Sequence, residues 1–295
     1  MSTQQAARPA RGEEPVEEIY YRKGDIDFCF LLNRRHHNLR VFDYRVGNYQ
    51  QKRDFFDRIA RAEGLRKVFT VVEKQDSKSW RSVGFSREGA IPGYFRTADA
   101  YIMSRVYTED GEPIQGGAPK LNVPVVTGNA KEKAVVKPRG LTFEIVTDIT
   151  RLESITTEFG DDSSYAPFRR GVFTPDIGVV AHLNKRDFWV GAETDSSFGH
   201  AKIDMITRPA KDTDLPALEY ALKVLLDELA KLETASVFAL CPADCVLSNQ
   251  VYGELGFKVT ARLTDHLTRE EEFVGAQVWH RRLNPVAAGR AAAVG

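Results

Sequence analysis

Few side chains in this sequence stand in a pattern that chemistry requires. Asp204 lies near the end of the apolar run HAKIDMIT, and Glu193 near the end of the run before it, DFWVGAET. A strand-end carboxylate can take a proton from an amine, directly or through water, or simply accept a turn hydrogen bond. Tyr252 stands in LSNQVYGELGF, where its hydroxyl can act as a general acid or its ring can merely pack. Between them, Ala210-Lys211-Asp212-Thr213-Asp214-Leu215-Pro216 precedes a long apolar-periodic stretch. Asp212 or Thr213 reads as its N-cap, with Pro216 in the first turn. Thr264-Asp265-His266 adds a carboxylate able to bind an ammonium group and a histidine that titrates near neutral pH, unless the histidine is only a polar surface residue of a loop.

Other chemistries find no footing. Cys29, Cys241 and Cys245 make an odd set without a CxxC pair, against both a disulfide framework and a zinc site. His182, His200 and His280 lack carboxylate or cysteine partners at ligand spacing, so no metal is expected. A glycine-rich nucleotide loop and a Gly-x-Ser-x-Gly elbow are absent. His36-His37 among Arg34, Arg35 and Arg40 forms a small basic patch without aromatic interleaving. With 41 basic residues balancing 41 acidic ones, nucleic acid is not expected as a partner.

The elements that must position these groups are legible from periodicity. At 295 residues, 42% hydrophobic and 28% charged, the chain has room for one large globular domain or two ordinary ones. No apolar run reaches membrane-spanning length and the N-terminus lacks a signal-peptide core, so a cytoplasmic protein without a membrane partner is expected. Residues 1–16 read as a disordered tail. Strands follow in IYYRKG, DIDFCFLLN and LRVFDYRV, then a helix over 49–62 stopped by Gly64, a strand over 67–73, a turn or helix ending at Gly84, and a strand over 100–107. Residues 108–140 read as a Gly/Pro-rich linker with VPVV as a possible edge strand. LTFEIVTDI opens a second domain over 141–284, followed by an ill-defined Thr/Asp/Ser-rich region to Tyr165 and strands in DIGVVAHL, DFWVGAET and HAKIDMIT. A helix over 214–232 carries Leu218, Leu222, Leu225 and Leu229 on one stripe; a buried strand (236–241), the short helix ending at Gly256-Phe257 and a strand over 274–281 complete it. Residues 285–295 read as a second tail.

The order helix, strand, Gly-Phe, strand thus occurs twice, an internal pseudo-repeat. Trp80 stands four residues before Gly84 as Tyr252 does before Gly256, and a tryptophan has no acidic hydroxyl, so the 17–107 copy is expected to be structural.

Tyr252-Gly253-Glu254-Leu255-Gly256-Phe257 resembles the Tyr-x-x-x-Gly-Phe/Tyr ending of the GNAT acetyltransferases. The wider order resembles the β-lysine N-acetyltransferase branch: GFSREGAIPGYFRTADAYIMSRVY (84–107), Asp204-Met205-Ile206-Thr207-Arg208-Pro209, Ser248-Asn249 and Val278-Trp279 are similar to its segments. The resemblance implies an α+β fold, a mixed and mainly antiparallel sheet flanked by helices, preceded by a smaller half-copy. It implies transfer of an acetyl group from acetyl-CoA to a small amine, with Tyr252 protonating the departing thiolate and Asp204 as base. It places the cofactor at Lys211, Thr213, Asp214, Leu215 and Asn249, and the acceptor near Asp265, His266 and, less directly, Glu193. The departures fall at the same places. The loop after Pro209 has no glycine and carries Asp212 and Asp214, which repel a diphosphate. The family's paired asparagines are replaced by Thr264-Asp265-His266, and an acidic residue by Val274. The alternative expectation is therefore a catalytically degenerate scaffold that binds a protein partner or a small ligand; a homodimer is left open.

Overall fold

The computed structural model describes residues 16–24, 26–43, 47, 49–114, 134–159, 173–269 and 271–283. Strand β1 (Val16–Lys23) is followed by β2 (Ile26–Asn33), an apolar run buried from Phe28 to Leu32, and by β3 (Asn38–Asp43), which the alternating stretch LRVFDYRV supplies. Helix α1 (Tyr49–Glu63), β4 (Lys67–Glu73), α2 (Ser77–Ser82), β5 (Ser86–Phe95) and β6 (Ala98–Val106) follow. After residue 134 come β7 (Thr142–Val146), α3 (Ile149–Phe159), β8 (Ile177–Leu183), β9 (Arg186–Asp195) and β10 (His200–Met205). The chain ends with α4 (Leu215–Lys231), β11 (Ser236–Pro242), α5 (Val246–Glu254), β12 (Lys258–Arg269) and β13 (Glu272–Arg282).

All thirteen strands join one sheet in the order β1-β2-β3-β4-β6-β5-β12-β13-β11-β10-β9-β8-β7. The β3–β4 and β10–β11 pairs are parallel, and the other pairings are antiparallel, so the sheet is mixed and mainly antiparallel. Each parallel pair is four rungs long. The sheet changes from first-half to second-half strands at β5 and β12, where Gly89 pairs with Ala261. A Cβ on Gly89 would collide with Ala261 side chain and backbone. Glycine there is a condition of the continuous sheet.

Which face a helix covers follows from strand alternation. The stripe of α4 packs with Val179, Ala181, Val190, Ala201, Ile203, Val237 and Ala239. The α1 residues Phe56 and Ala60 pack with Phe28, Phe30, Val41 and Val68. Each Leu or Phe so buried contributes about 1.5–3 kcal/mol before ordering costs. Val180 and Trp189, on the other face of β8 and β9, receive Leu152 and Ile155 of α3. Thus the region expected to be ill-defined contains a helix: Leu152 and Ile155 lie on one side and are buried, a pattern hidden among threonines and acids.

Both halves share a core on the sheet face that α4 and α1 leave open. Phe69, Ile91, Tyr94 and Ile102 from one half meet Phe238, Leu240, Leu263 and Val278 from the other. Polar stitches accompany it. The fully buried Lys67 ammonium lies 2.7 Å from the Glu88 carboxylate and donates to the Thr264 carbonyl at 2.8 Å, while the Thr264 N–H donates to Glu88. Strands β5 and β12 fall between the expected Gly-Phe helix ends and the expected strands that follow, where no element was expected, and the Thr264-Asp265-His266 segment is not a surface loop. It is a bulge inside β12, with Asp265 at positive φ and the register shifting between Leu263 and Leu267. The VPVV segment, the bulk of the linker and both tails fall outside the described residues.

Candidate active site in the opening between β10 and β11

The parallel pairing of β10 with β11 runs from His200–Ser236 to Ile203–Ala239 and stops. Beyond it, Asp204 and Met205 stay with Gly191 and Val190 of β9, and Leu240 to Pro242 stay with β13. The chain after β10 keeps following β9, because Thr207 N–H donates to the Trp189 carbonyl at 3.0 Å. The two strands therefore part at the level of Asp204 and Cys241.

Helix α5 delivers Tyr252 to that level. Gly256, at positive φ, ends the helix one residue beyond Leu255, and the Tyr252 ring packs on Phe257 and Trp279. The residue is buried, and its hydroxyl proton meets no acceptor, although the Met205 main chain hydrogen-bonds its oxygen. Burial first, then the negative charge of Asp204, pushes the phenol well above its ordinary range; Arg208 and the Met205 main chain pull the other way. The hydroxyl thus keeps its proton, as a general acid must. The Cys241 thiol is likewise pushed well up, by burial first and then by Cys245, which argues against a thiolate nucleophile. Arg269 closes the rim, donating to Asp244 at 2.8 Å and to the Cys245 sulfur at 3.2 Å. Sequence reasoning assigned no role to Arg208 or Cys241. Their signal was available only as positions directly after β10 and at the end of β11.

The loop before α4 is built differently from an open anion cradle. A 3-10 turn over Asp212–Asp214 leads into the helix. Asp214 is buried, and its carboxylate accepts the Ala210 N–H at 2.9 Å and the Lys211 N–H at 3.3 Å, while Arg186 holds the other oxygen. Burial works to raise this carboxyl, but the Ala210 N–H, Arg186 and the Lys211 N–H together hold it below the usual carboxylate range. The Ala210 and Lys211 amides are thus already satisfied by the protein's own carboxylate. Lys211 and Thr213 remain exposed, and the Leu215 side chain belongs to the core. Asn249 is spent as well: its amide donates to the Pro242 and Cys245 carbonyls, both at 2.9 Å, and accepts Trp279 Nε1 at 2.8 Å. It locks α5 to β11 and β13 and keeps no donor for a cofactor.

The expected acceptor residues do not gather around Tyr252. Glu193 is fully buried on β9, accepts the Thr174 hydroxyl at 3.1 Å and stands opposite Lys202, one rung set removed from Asp204. Asp265 lies 3.5 Å from Arg66, in the seam between the halves. His266 is fully buried against Phe69, and burial, then Lys67 and His36, hold its imidazole well below its ordinary value, so it stays neutral near pH 7. Among the described residues no three His, Cys, Asp or Glu side chains gather as a metal set, and no helix is long and apolar enough to cross a membrane.

No family model matches the chain, and no curated protein matches it. Solved structures similar to it include yncA of Salmonella typhimurium with its cofactor acetyl-CoA (16% identity, TM-score 0.38, 52% of this chain and 99% of that one). Another is the ribosomal-protein-S18-alanine N-acetyltransferase of Escherichia coli (14%, TM-score 0.37, 51% and 98%). A third is a GNAT superfamily phosphinothricin acetyltransferase of Sinorhizobium meliloti in complex with AcCoA (13%, TM-score 0.38, 51% and 92%). At these scores and identities the likeness assigns the chain to no family.

Proposed function

We propose that the chain transfers an acyl group from a pantetheine-type thioester, with acetyl-CoA as the reference donor, to a small amine. The observation that carries this is the buried, protonated Tyr252 hydroxyl, its proton without an acceptor, set where β10 and β11 part. Such a donor without an acceptor costs about 1–3 kcal/mol, a cost that a passing thiolate relieves. In this reading Asp204 takes a proton from the amine, the amine nitrogen bonds the acyl carbon, the C–S bond breaks, and Tyr252 gives its proton to the sulfur. Arg208 is the neighbouring cation that makes the phenol a better acid. The residues fit the thioester end of acetyl-CoA; the loop closed by Asp214 does not fit its diphosphate, and no step is routed through it. The same reading takes the sheet as GNAT-like, β1 to β6 as a smaller copy of that unit, and the β-lysine branch as one that it resembles. A cytoplasmic setting and an amino-acid-like acceptor go with it.

A second reading, a catalytically silent scaffold for a protein partner or a small ligand, is favoured by one observation: Asp214 fills the anion cradle. Tyr252→Phe separates the two. Acyl transfer to an amine panel should fall about 10²–10³-fold with donor KM within a factor of about two. Because the hydroxyl proton has no acceptor and only the Met205 main chain touches the oxygen, the variant's stability should lie within about 1 kcal/mol of wild type in melting curves. Acyl transfer unaffected by the substitution rejects Tyr252 as the acid, and no transfer by wild type across thioester donors leaves the scaffold reading.

A further inference from the structure

A groove of about 920 Å³ opens beside α2, between the end of β4 and the β5–β6 hairpin. Lys74, Lys78, Arg81 and Arg87 line it, facing Thr97, Asp99 and Tyr101. Among the described residues none of the four cations forms an ion pair, although Arg61, Arg105 and Lys67 in the same half all do. The two acids of the lining are engaged: Glu73 accepts Gln75 at 3.2 Å and Asp99 accepts the Gly93 N–H at 3.0 Å. Counting side chains, four cations face two acids, in a protein whose formal net charge is +0. The excess is therefore local rather than part of a general basic field. Arg87 is held flat, with its guanidinium carbon 3.9 Å from the Tyr101 ring centroid. A fixed guanidinium is a planar fork suited to phosphate oxygens, and lysines add mobile point charges. The volume lies in the range of small-ligand sites.

We propose that this groove binds a small polyphosphate, a molecule with at least two linked phosphate groups. A single carboxylate matches only one of the two excess charges, and one short groove with one aromatic ring lacks the stacking track that a nucleic acid strand uses. The site lies in the first half of the chain and stands independently of the acyl-transfer reading.

The test is calorimetry on the full chain with inorganic tripolyphosphate, at low and at physiological salt. Wild type should bind one equivalent with a Kd of about 10–100 μM at low salt, weakening as salt screens the contacts. The double reversal Lys78→Glu with Arg81→Glu should weaken binding by about tenfold or more. Lys223→Glu with Lys231→Glu, which removes two exposed cations of α4 paired with Asp227 and Glu228, should leave Kd within about twofold. Arg87→Lys, which keeps the charge and loses the fork, should show an intermediate loss; melting curves confirm that each variant is folded. Absence of binding by wild type at about 1 mM, or an equal loss in the α4 control, overturns the site. A single-stranded oligonucleotide that binds at this groove about tenfold tighter than tripolyphosphate overturns the small-ligand assignment.

Discussion

Replacing Asp214 with glycine should turn a closed loop into an anion site. In the native loop the carboxylate takes the Ala210 N–H at 2.9 Å and the Lys211 N–H at 3.3 Å, so an incoming diphosphate meets a buried negative charge where these two amides point. Glycine removes the charge and returns both amides. A hydrogen bond to a charged acceptor is worth about 1.5–3 kcal/mol, and the longer contact counts for less, so the gain is about 2–4 kcal/mol. That is roughly 30- to 1000-fold in Kd for acetyl-CoA. Arg186, with 42% of its side chain exposed, is left out because solvent screens it. The fold loses the same two amide contacts and the Arg186 contact, so the variant should melt lower than wild type, and a melting curve confirms that it is folded before titration. Calorimetry at pH 7.5 is the assay; there Asp214 is ionised, its pKa being depressed, and its stabilising contribution disappears only as pH falls below about 4. Asp214→Asn sorts the cause: it removes the charge but leaves a carbonyl in the cradle. If repulsion dominates, both variants gain; if occupancy dominates, only glycine does. Unchanged affinity in a folded Asp214→Gly protein would refute the idea that this carboxylate blocks the loop.

Two further perturbations test the architecture. Gly89→Ala places a methyl against Ala261 at the only described rung joining β5 to β12, and should cost roughly 3 kcal/mol in urea denaturation; a midpoint equal to wild type refutes the close approach. His200 and His280 are held at about 4 chiefly by burial, so below about pH 6.5 the unfolded chain binds protons that the folded chain refuses. Stability should therefore fall between about pH 6.5 and 4, by roughly 2 kcal/mol for each of these two at pH 5; the buried His266 adds to the fall, so His200→Phe should remove about a third of the slope. A flat profile across this window rejects it.

What could be read in the sequence were features set by neighbours along the chain. The leucine stripe of α4, the alternation in β3, and glycine stops such as Gly64 and Gly256 depend on the 3.6- and 2-residue periods and on positive φ, which no distant residue supplies. The oddity of the Asp-rich loop was legible too, but not which acid mattered. Asp212 and Asp214 are two residues apart and alike in type; only the turn into α4 buries Asp214 beneath the amides of Ala210 and Lys211 and leaves Asp212 exposed. The same holds for Asn249, whose three partners come from β11, the turn after it and β13, and for His266, which reads as a loop histidine until β12 bulges into the seam between the halves. Burial and hydrogen-bond saturation are sums over partners far apart in sequence. Residue type therefore announced which groups can do chemistry, and the packing of β10, β11 and α5 decided that Tyr252 alone among the expected residues keeps an unspent proton beside Asp204.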